Sequence, residues 1–264
     1  MSELINDRVR WSINGQVATV TLARPDGGNG FDLAMAEAIR EAAKRVHDGS
    51  KKGTVRAAIV AAEGPAFSVG GDLQYFASSA ERDKEMDKVA GAIHDALRLL
   101  AGADAPVITV VEGVAAGGGI GLALTGDIVL ASPRAKFRMA YTAVGLSPDC
   151  GTSWIVPRLI GEGRALDLAL TNRVVSVKEA AEWGLVSRVV EDDVLSEAQA
   201  LARSLAGGPF AALSRTKRLI RSSATASFSE HLDDEAASIS ALVASSDGIE
   251  GIDAFLGKRE PKFT

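Results

Sequence analysis

The sequence predicts an α/β fold, and three observations lead to this prediction. Apolar runs of strand length alternate with segments whose apolar residues recur at helical spacing. Two of the strand-like runs lead into glycine-rich turns, at residues 66–73 and 114–121, and a helix-compatible segment follows each turn. From residue 193 onward the pattern is helical throughout. We therefore predict two regions, a core over residues 1–192 and a helical region over residues 193–264.

The chain opens with a predicted hairpin and helix. Residues 9–13 and 17–22 flank Asn14-Gly15, a pair that favours a type I′ turn. Asp32 is a candidate N-cap for a helix that reaches about residue 46.

The middle of the chain continues the alternation of strands and helices, which predicts right-handed crossovers. The predicted strands are 55–62, 107–111, 127–131, 136–139 and 186–190. The predicted helices are 81–101, a short one after the second glycine turn, 152–159, 163–170 and 177–183. The helical region is predicted to contain helices at 193–206, 210–222 and 228–245. Ile239, Leu242 and Val243 in the last helix face either a partner subunit or the chain's own core.

Composition excludes several classes of protein. A net charge of −5 argues against a general nucleic-acid binder. The single cysteine, Cys150, excludes an intrachain disulfide and suits a reducing compartment. Residues 1–7 contain no apolar signal region, and no stretch reaches about 18 uninterrupted apolar residues, so we expect a cytoplasmic protein with no membrane association.

The two glycine turns are the candidate functional elements. A strand, glycines and a helix start place free backbone N–H groups at the positive end of a helix dipole, where they suit a phosphate or an oxyanion. A tight turn between closely packed elements is the alternative reading. The triplet Gly117-Gly118-Gly119 is not followed by the Lys-Ser/Thr of a P-loop, so nucleotide hydrolysis is unsupported. Two such turns in one domain are able to direct two N–H groups at one thioester carbonyl.

At these turns the chain resembles the crotonase (enoyl-CoA hydratase/isomerase) superfamily. Residues 66–73, Ala-Phe-Ser-Val-Gly-Gly-Asp-Leu, resemble its Ala-Phe-x-x-Gly-x-Asp-Leu signature, and residues 114–121 resemble its second, glycine-rich signature. The resemblance implies a β-β-α spiral core, with C-terminal helices that form a homotrimer or a dimer of trimers. It implies an acyl-CoA substrate, no further cofactor, and an oxyanion hole made by the N–H groups of Gly71 and Gly118.

The resemblance also implies which residues bind coenzyme A. Arg24, Pro25 and Asn29 match a loop that lies over the coenzyme in the family, and the tail over residues 247–263 matches the family's closing motif. For Lys258 in that tail a solvated terminal lysine is the alternative reading. The implied coenzyme-binding residues are Arg24, Ala66, Ser68, Gly70, Asp72, Leu73, Phe255 and Lys258.

Both glutamates that serve the family's hydratases are missing. The corresponding positions in the acyl pocket are Gly121 and Tyr141. Glycine has no titratable group, and a phenol with an ordinary pKa near 10 replaces a carboxylate poorly in acid–base catalysis. We therefore expect no efficient hydratase activity.

The remaining candidate catalytic residue is Asp149, which matches the acid–base aspartate of some isomerases in the family. We expect isomerisation or rearrangement through a thioester enolate, although Ser-Pro-Asp is also an ordinary turn sequence. His94 together with Asp149 resembles 4-chlorobenzoyl-CoA dehalogenase, in which the aspartate is the nucleophile and the histidine activates water. Two departures weaken that match, because Tyr141 and Gly71 stand where the dehalogenase carries a tryptophan and a phenylalanine. A hydratase with non-standard residues and a non-catalytic acyl-CoA binder are further alternatives.

Two other chemistries have little support in the sequence. Nothing near Cys150 in the sequence would lower its pKa, so we do not expect it to be a nucleophile. The sequence also shows no convincing cluster of metal ligands. Asp72 and Asp127 are expected to be structural, as a helix N-cap and a turn residue at the entry to a strand.

Overall fold

The computed structural model describes residues 2–264, and its centre is a seven-stranded sheet with the order β1-β2-β3-β4-β6-β8-β11. The first three strands are antiparallel neighbours, and the remaining pairs from β3 to β11 are parallel. A second, four-stranded sheet has the order β10-β9-β7-β5. The strands are β1 Ser2–Ile5, β2 Val9–Asn14, β3 Val17–Leu22, β4 Ala57–Ala62, β5 Ala66–Ser68, β6 Val107–Val111, β7 Val114–Ala116, β8 Ile128–Ala131, β9 Lys136–Arg138, β10 Val175–Ser176 and β11 Arg188–Val189.

Eleven α-helices connect and cover the two sheets in the part of the chain that the structure describes. They are α1 Leu33–Lys51, α2 Leu73–Ser78, α3 Arg82–Ala101, α4 Gly118–Thr125, α5 Thr152–Ile160, α6 Glu162–Thr171, α7 Val177–Trp183, α8 Val194–Ala206, α9 Phe210–Ser222, α10 Phe228–Val243 and α11 Ser246–Leu256. None of the helices within residues 2–264 is both long and apolar enough to cross a membrane.

The fold class is α/β with parallel crossovers, as the sequence predicts. Strand β6 is buried along its whole length, because helices cover both faces of the larger sheet. Helices α1, α3 and α4 bury their apolar residues in the core cluster on one face. Helix α8 packs on the other face, where Ala198 and Ala202 meet Ile59 and Ile108. The division of the chain at residue 193 stays a prediction.

Three details differ from the sequence-based expectations. The hairpin forms, but Asn14 pairs with Val17 inside the ladder, and only Gly15 of the turn residues has a positive φ. The type I′ prediction is therefore wrong, because the turn lies one residue later than the Asn-Gly pair suggests. Strands β1, β5, β7 and β10 and helix α11 were not predicted. Burial of Ile239 and Val243 in the chain's own core is also contradicted, because both are exposed on α10.

Candidate active site

A cavity of about 410 Å³ lies where the two glycine turns meet helix α3 and the segment before α5. Its wall is largely apolar, with a few polar side chains. Asp149 is the only carboxylate among the described residues that line it. The lining residues are Phe31, Val69, Gly71, Leu73, Phe76, Met86, Val89, Ala90, Ile93, Gly117, Gly118, Arg138, Ala140, Tyr141, Ala143, Val144, Leu146, Ser147, Asp149 and Cys150.

The two glycine turns touch each other, and the contact requires glycine. Gly70 has a φ of +84°, and a Cβ added there would lie 2.7 Å from Gly118 N and 2.8 Å from Ala116 O. A Cβ at Gly119 would lie 2.4 Å from Ser68 O. Real side chains do not tolerate such distances from backbone atoms. Glycine at these positions therefore lets one backbone segment rest directly on the other.

The contact leaves two backbone N–H groups unpaired in the cavity wall. Phe31 N donates to Gly70 O at 2.7 Å, and Asp72 N donates to Phe31 O at 3.1 Å. The N–H of Gly71, which lies between residues 70 and 72, has no acceptor within residues 2–264. Gly118 is the first residue of α4, where N–H groups have no partner inside the helix, and it too has none elsewhere among the described residues. Both glycines line the cavity. This arrangement suits a developing negative charge on a carbonyl oxygen.

Asp149, which lines the same cavity, forms a hydrogen-bonded pair with His94, which does not line it. His94 Nε2 lies 2.7 Å from Asp149 Oδ1, which also accepts from Cys150 N–H. Asp149 Oδ2 has no hydrogen-bond partner among the described residues. Both side chains are partly exposed, at 39% for His94 and 30% for Asp149. The structure therefore brings together two residues 55 positions apart and leaves one carboxylate oxygen free.

The backbone of Asp149 is fixed by its neighbours. Its carbonyl oxygen accepts from Tyr141 Oη at 3.0 Å and from Thr152 Oγ1 at 2.8 Å. Burial, together with the nearby Cys150 and Asp149, raises the pKa of Tyr141 above its ordinary value, so it remains a phenol near neutral pH. Tyr141 lines the cavity and holds the loop that carries Asp149, while its role in the acyl pocket stays a prediction.

Gly121, in contrast, does not line the cavity, and its place in the acyl pocket stays a prediction. It lies buried inside α4, where a Cβ would be 2.0 Å from Cys150 O. The backbone of Cys150 occupies the space that a side chain at position 121 would need. In this conformation the position excludes a glutamate on steric grounds.

The predicted coenzyme-binding residues have different surroundings. Leu73 lines the cavity and is half-exposed, whereas Ala66 and Ser68 are buried under the first glycine turn. Asp72 caps α2, and Arg24 forms ion pairs with Asp72 and Asp32. Phe255, on α11, and Lys258, just after it, are exposed and do not line the cavity. The contact of these residues with coenzyme A stays a prediction.

Cys150 joins His94 and Asp149 in a group whose donor atoms lie within 4.8 Å of one another. The family resemblance paired His94 with Asp149, but sequence reasoning did not place Cys150 with them. A metal site needs a thiolate here. Burial, reinforced by the adjacent Asp149, raises the pKa of the Cys150 thiol and opposes that state. The trio is therefore a poor metal site.

Sequence reasoning also missed much of the apolar wall of the cavity. Met86, Val89 and Ile93 on α3 recur at helical spacing, which indicates a core-facing stripe. In the structure this stripe faces the cavity as well as the core. Periodicity identified the buried face of α3 but carries no information about whether that face meets protein or a ligand.

The fold and this site define a class of protein, the acyl-CoA enzymes of the crotonase fold. The family model described as Enoyl-CoA hydratase/isomerase matches residues 12–264, and the chain belongs to this family. It is 39% identical over 259 residues to the 1,2-epoxyphenylacetyl-CoA isomerase of Escherichia coli K12, covering 94% of this chain and 95% of the relative. It is 34% identical to a probable enoyl-CoA hydratase of Rhodobacter capsulatus, covering 97% of each chain.

Solved structures agree with this assignment. A putative enoyl-CoA hydratase/isomerase from Mycobacterium abscessus superimposes with a TM-score of 0.91 at 37% identity. The match covers 97% of this chain and 99% of that one. Relatives are thus named both as isomerases and as hydratases, and the family alone does not select the reaction.

Proposed function

We propose that the protein is an acyl-CoA isomerase in which Asp149 moves the proton. The observation that carries this proposal is the position of Asp149, the one cavity-lining carboxylate within residues 2–264, with a free Oδ2. Unpaired N–H groups of Gly71 and Gly118 line the same cavity. Proton transfer next to a stabilised oxyanion is the chemistry that this combination supports best.

The reaction proceeds in two proton transfers. Asp149 Oδ2 takes a proton from the carbon next to the thioester carbonyl, and the electron pair of that C–H bond moves into the carbonyl group. The resulting enolate oxygen accepts hydrogen bonds from Gly71 N–H and Gly118 N–H. Asp149 then returns the proton to a different carbon, which shifts the double bond or completes the rearrangement. No water is consumed, so the reaction does not need the two hydratase carboxylates.

One relative supports an isomerase, and the cavity wall supports a compact, apolar acyl group. The relative from E. coli is named for an isomerisation of an arylacetyl-CoA epoxide. The cavity wall here is largely apolar, with Phe31, Phe76 and Val144 among its members. Small residues, including Gly71, Ala90 and Ala140, leave room for a ring or a short chain. We propose an acyl group of this kind.

The test compares Asp149→Asn with the wild type and with Asp95→Asn. Asp95 carries the neighbouring exposed carboxylate on α3 and pairs only with Arg98 among the described residues, so it controls for loss of surface charge. A 3-enoyl-CoA and crotonyl-CoA are assayed side by side through the absorbance of the conjugated enoyl thioester. We expect wild type and Asp95→Asn to produce that absorbance from the 3-enoyl substrate. Asp149→Asn should bind acyl-CoA without turnover, and undiminished activity would refute the role of Asp149.

A second candidate function is favoured by the 2.7 Å contact between His94 and Asp149. Here Asp149 attacks an activated carbon of the acyl group, such as a ring carbon of an aroyl-CoA that bears a leaving group. The carboxylate forms an ester with that carbon as the leaving group departs. His94 then activates water to hydrolyse that ester. His94→Ala should trap the ester, which mass spectrometry of Asp149 would detect after acid quenching. Absence of the ester when His94→Ala is exposed to a ring-halogenated aroyl-CoA would refute this second candidate.

Hydration is the less supported reading. The structure fills the space beside Gly121 with the backbone of Cys150, and Tyr141 stays protonated. Rapid loss of the enoyl absorbance of crotonyl-CoA would nevertheless establish hydration and contradict this reasoning. Binding of acyl-CoA with no turnover of any of these substrates would identify a non-catalytic binder.

A further inference from the structure

The Arg24 side chain, which the family resemblance assigns to coenzyme A, is engaged inside the chain. Its Nη1 lies 2.8 Å from Asp72 Oδ2 and 3.1 Å from Asp32 Oδ2. The two carboxylates are largely buried, with 12% and 9% of their side-chain surface exposed. Arg24 therefore bridges two acidic side chains that water reaches poorly.

Both carboxylates are helix N-caps. Asp32 Oδ1 accepts from Met35 N at 2.7 Å at the start of α1. Asp72 Oδ1 accepts from Gln74 N and Tyr75 N, each at 3.0 Å, at the start of α2. In each aspartate one oxygen caps the helix and the other meets Arg24. A single guanidinium thus ties the N-termini of α1 and α2 together.

The peptide that carries the Gly71 N–H lies between these two caps. Phe31, next to Asp32, donates its N–H to Gly70 O and accepts from Asp72 N. These two hydrogen bonds flank Gly71 and set the direction in which its own N–H points. Any relative movement of Asp32 and Asp72 would therefore rotate the Gly71 peptide.

Arg24 is itself held in place. Its backbone N–H donates to Asn29 Oδ1 at 2.9 Å, and Asn29 is fully buried, with its Nδ2 bonded to Glu63 O and Ala66 O. A Cβ at Gly27 would lie 2.8 Å from Arg24 Nε, so the side chain lies across that glycine. These contacts and the two ion pairs define the position of the guanidinium.

The charges around the bridge show why Arg24 has no substitute. Asp32 has a second cation, Arg8 Nη2 at 3.0 Å, but Asp72 pairs with no cation except Arg24 within residues 2–264. Burial opposes ionisation of Asp72, yet the hydrogen bonds from Tyr75 N–H and Arg24 outweigh it and lower the pKa of Asp72. Removing Arg24 leaves a partly buried carboxylate at the α2 N-cap without a counter-ion.

We propose that Arg24 is a positioning residue, which locks the Asp32 and Asp72 caps together and so aims the Gly71 N–H at the thioester oxygen. The inference rests on the oxyanion role of Gly71 in the proposed function. It does not depend on which acyl group is converted. It differs from the coenzyme-binding role implied by the resemblance, because Arg24 is only 28% exposed and its ion pairs are with Asp32 and Asp72 of the same chain.

The experiment measures binding as well as turnover, using Arg24→Met, Arg24→Lys and wild type. Butyryl-CoA is compared with S-butyl-CoA, a thioether that lacks the carbonyl oxygen and cannot use the oxyanion hole. Butyryl-CoA is also compared with its 3′-dephospho form, which lacks one coenzyme phosphate. Arg10→Met serves as the matched control, because Arg10 pairs with Glu63 at 3.0 Å and touches neither cap.

We expect Arg24→Met to bind S-butyl-CoA as wild type does and to lose most of the preference for butyryl-CoA. Its kcat should fall about tenfold, less than the roughly 100- to 1000-fold cost of losing a complete oxyanion donor. Arg24→Lys should recover part of the preference for butyryl-CoA and part of kcat, since a lysine restores the charge but not the planar guanidinium. Arg10→Met should match wild type, and thermal melts verify that each variant is folded.

Two results would overturn the proposal. If Arg24→Met instead removes the discrimination between butyryl-CoA and its dephospho form, Arg24 binds a coenzyme phosphate. If the thioester preference is unchanged in Arg24→Met, or absent in wild type, Arg24 does not aim an oxyanion donor. A wild type that prefers the thioester but isomerises nothing would refute the proposed function while leaving this inference intact.

Discussion

Position 121 shows how a single backbone contact limits the chemistry of the site. Glycine is required there because a Cβ would lie 2.0 Å from Cys150 O, whereas a Cβ at Gly163 on α6 meets nothing within 4 Å. A glutamate at position 121 has to push the Cys150 segment away, and that segment carries Asp149. The absence of a hydratase carboxylate here is therefore built into the packing of α4 against the loop.

We expect Gly121→Glu to destabilise the fold by about 1–3 kcal/mol, as overpacking of a core usually does. It should also abolish the Asp149-dependent activity and create no hydration of crotonyl-CoA. Gly163→Glu is the control and should leave the stability and the Asp149-dependent activity unchanged. Urea unfolding and the enoyl absorbance assay measure the two effects. A gain of hydratase activity in Gly121→Glu would show that the Cys150 segment moves more easily than its contacts indicate.

Cys150 provides a second test at the scale of a residue. Its thiol is buried, and burial together with the charge of Asp149 raises its pKa above the ordinary value. A raised thiol pKa means that the reactive thiolate is scarce at pH 8, and burial also blocks reagents. We expect iodoacetamide at pH 8 to leave Cys150 unmodified in the folded protein and to modify it after denaturation, as measured by mass. Rapid alkylation of the folded protein would contradict this description of the site.

At the scale of the element, helix α9 is attached to the core by a buried cation. Lys217 Nζ lies 2.8 Å from Asp127 Oδ2 and donates to Leu100 O and Ala105 O. Only 7% of the Lys217 side chain is exposed. Arg221, one turn later, also pairs with Asp127 at 2.7 Å. Asp127, expected only to shape the entry to β8, therefore anchors α9.

We expect Lys217→Met to lower the free energy of unfolding by up to about 3 kcal/mol, since breaking a buried pair leaves a charge poorly compensated. Arg221 still faces Asp127, which keeps the loss below that of a fully isolated carboxylate. Lys44→Met removes the exposed pair with Asp48 and should cost at most about 1 kcal/mol. Urea unfolding of the three proteins measures the difference. Equal stabilities of the two variants would show that the Lys217 pair contributes no more than a surface one.

At the scale of the whole molecule, the sequence predicts the larger sheet well and the smaller one poorly. Strands β4 and β6 are continuous apolar runs of five or six residues, which periodicity detects. Strands of two or three residues, such as β7 and β10, are too short to show any alternation. Helix α11 was missed because Gly248 and Gly251 dilute its helical pattern.

The candidate site follows the same division between local and long-range information. The two glycine turns are local motifs, and the sequence placed them at the cavity. The contact of His94 with Asp149 and the bridge from Arg24 to Asp72 join residues far apart in the chain. Such contacts depend on how α3, the 24–30 loop and α2 pack together, and neither composition nor periodicity encodes that packing.

The C-terminal helices lead to a prediction about assembly. Ile220 on α9, Phe228 and Ile239 on α10, and Phe255 on α11 are all more than half exposed in the single chain. Clusters of exposed apolar residues on soluble proteins usually mark interfaces. We therefore expect these helices to contact other copies of the chain, in the trimer or dimer of trimers that the family resemblance implies.

Light scattering after size-exclusion chromatography should give a mass of three or six chains for the wild type. Ile239→Asp places a charge in the proposed interface and should shift the population to smaller species, because an unpaired buried charge opposes association. Ser240→Asp, at the next position on α10 and also exposed, is the matched control and should keep the wild-type mass. A wild type that stays monomeric over a wide concentration range would refute the assignment of these helices. In that case their exposed apolar residues would be expected to bind a different partner.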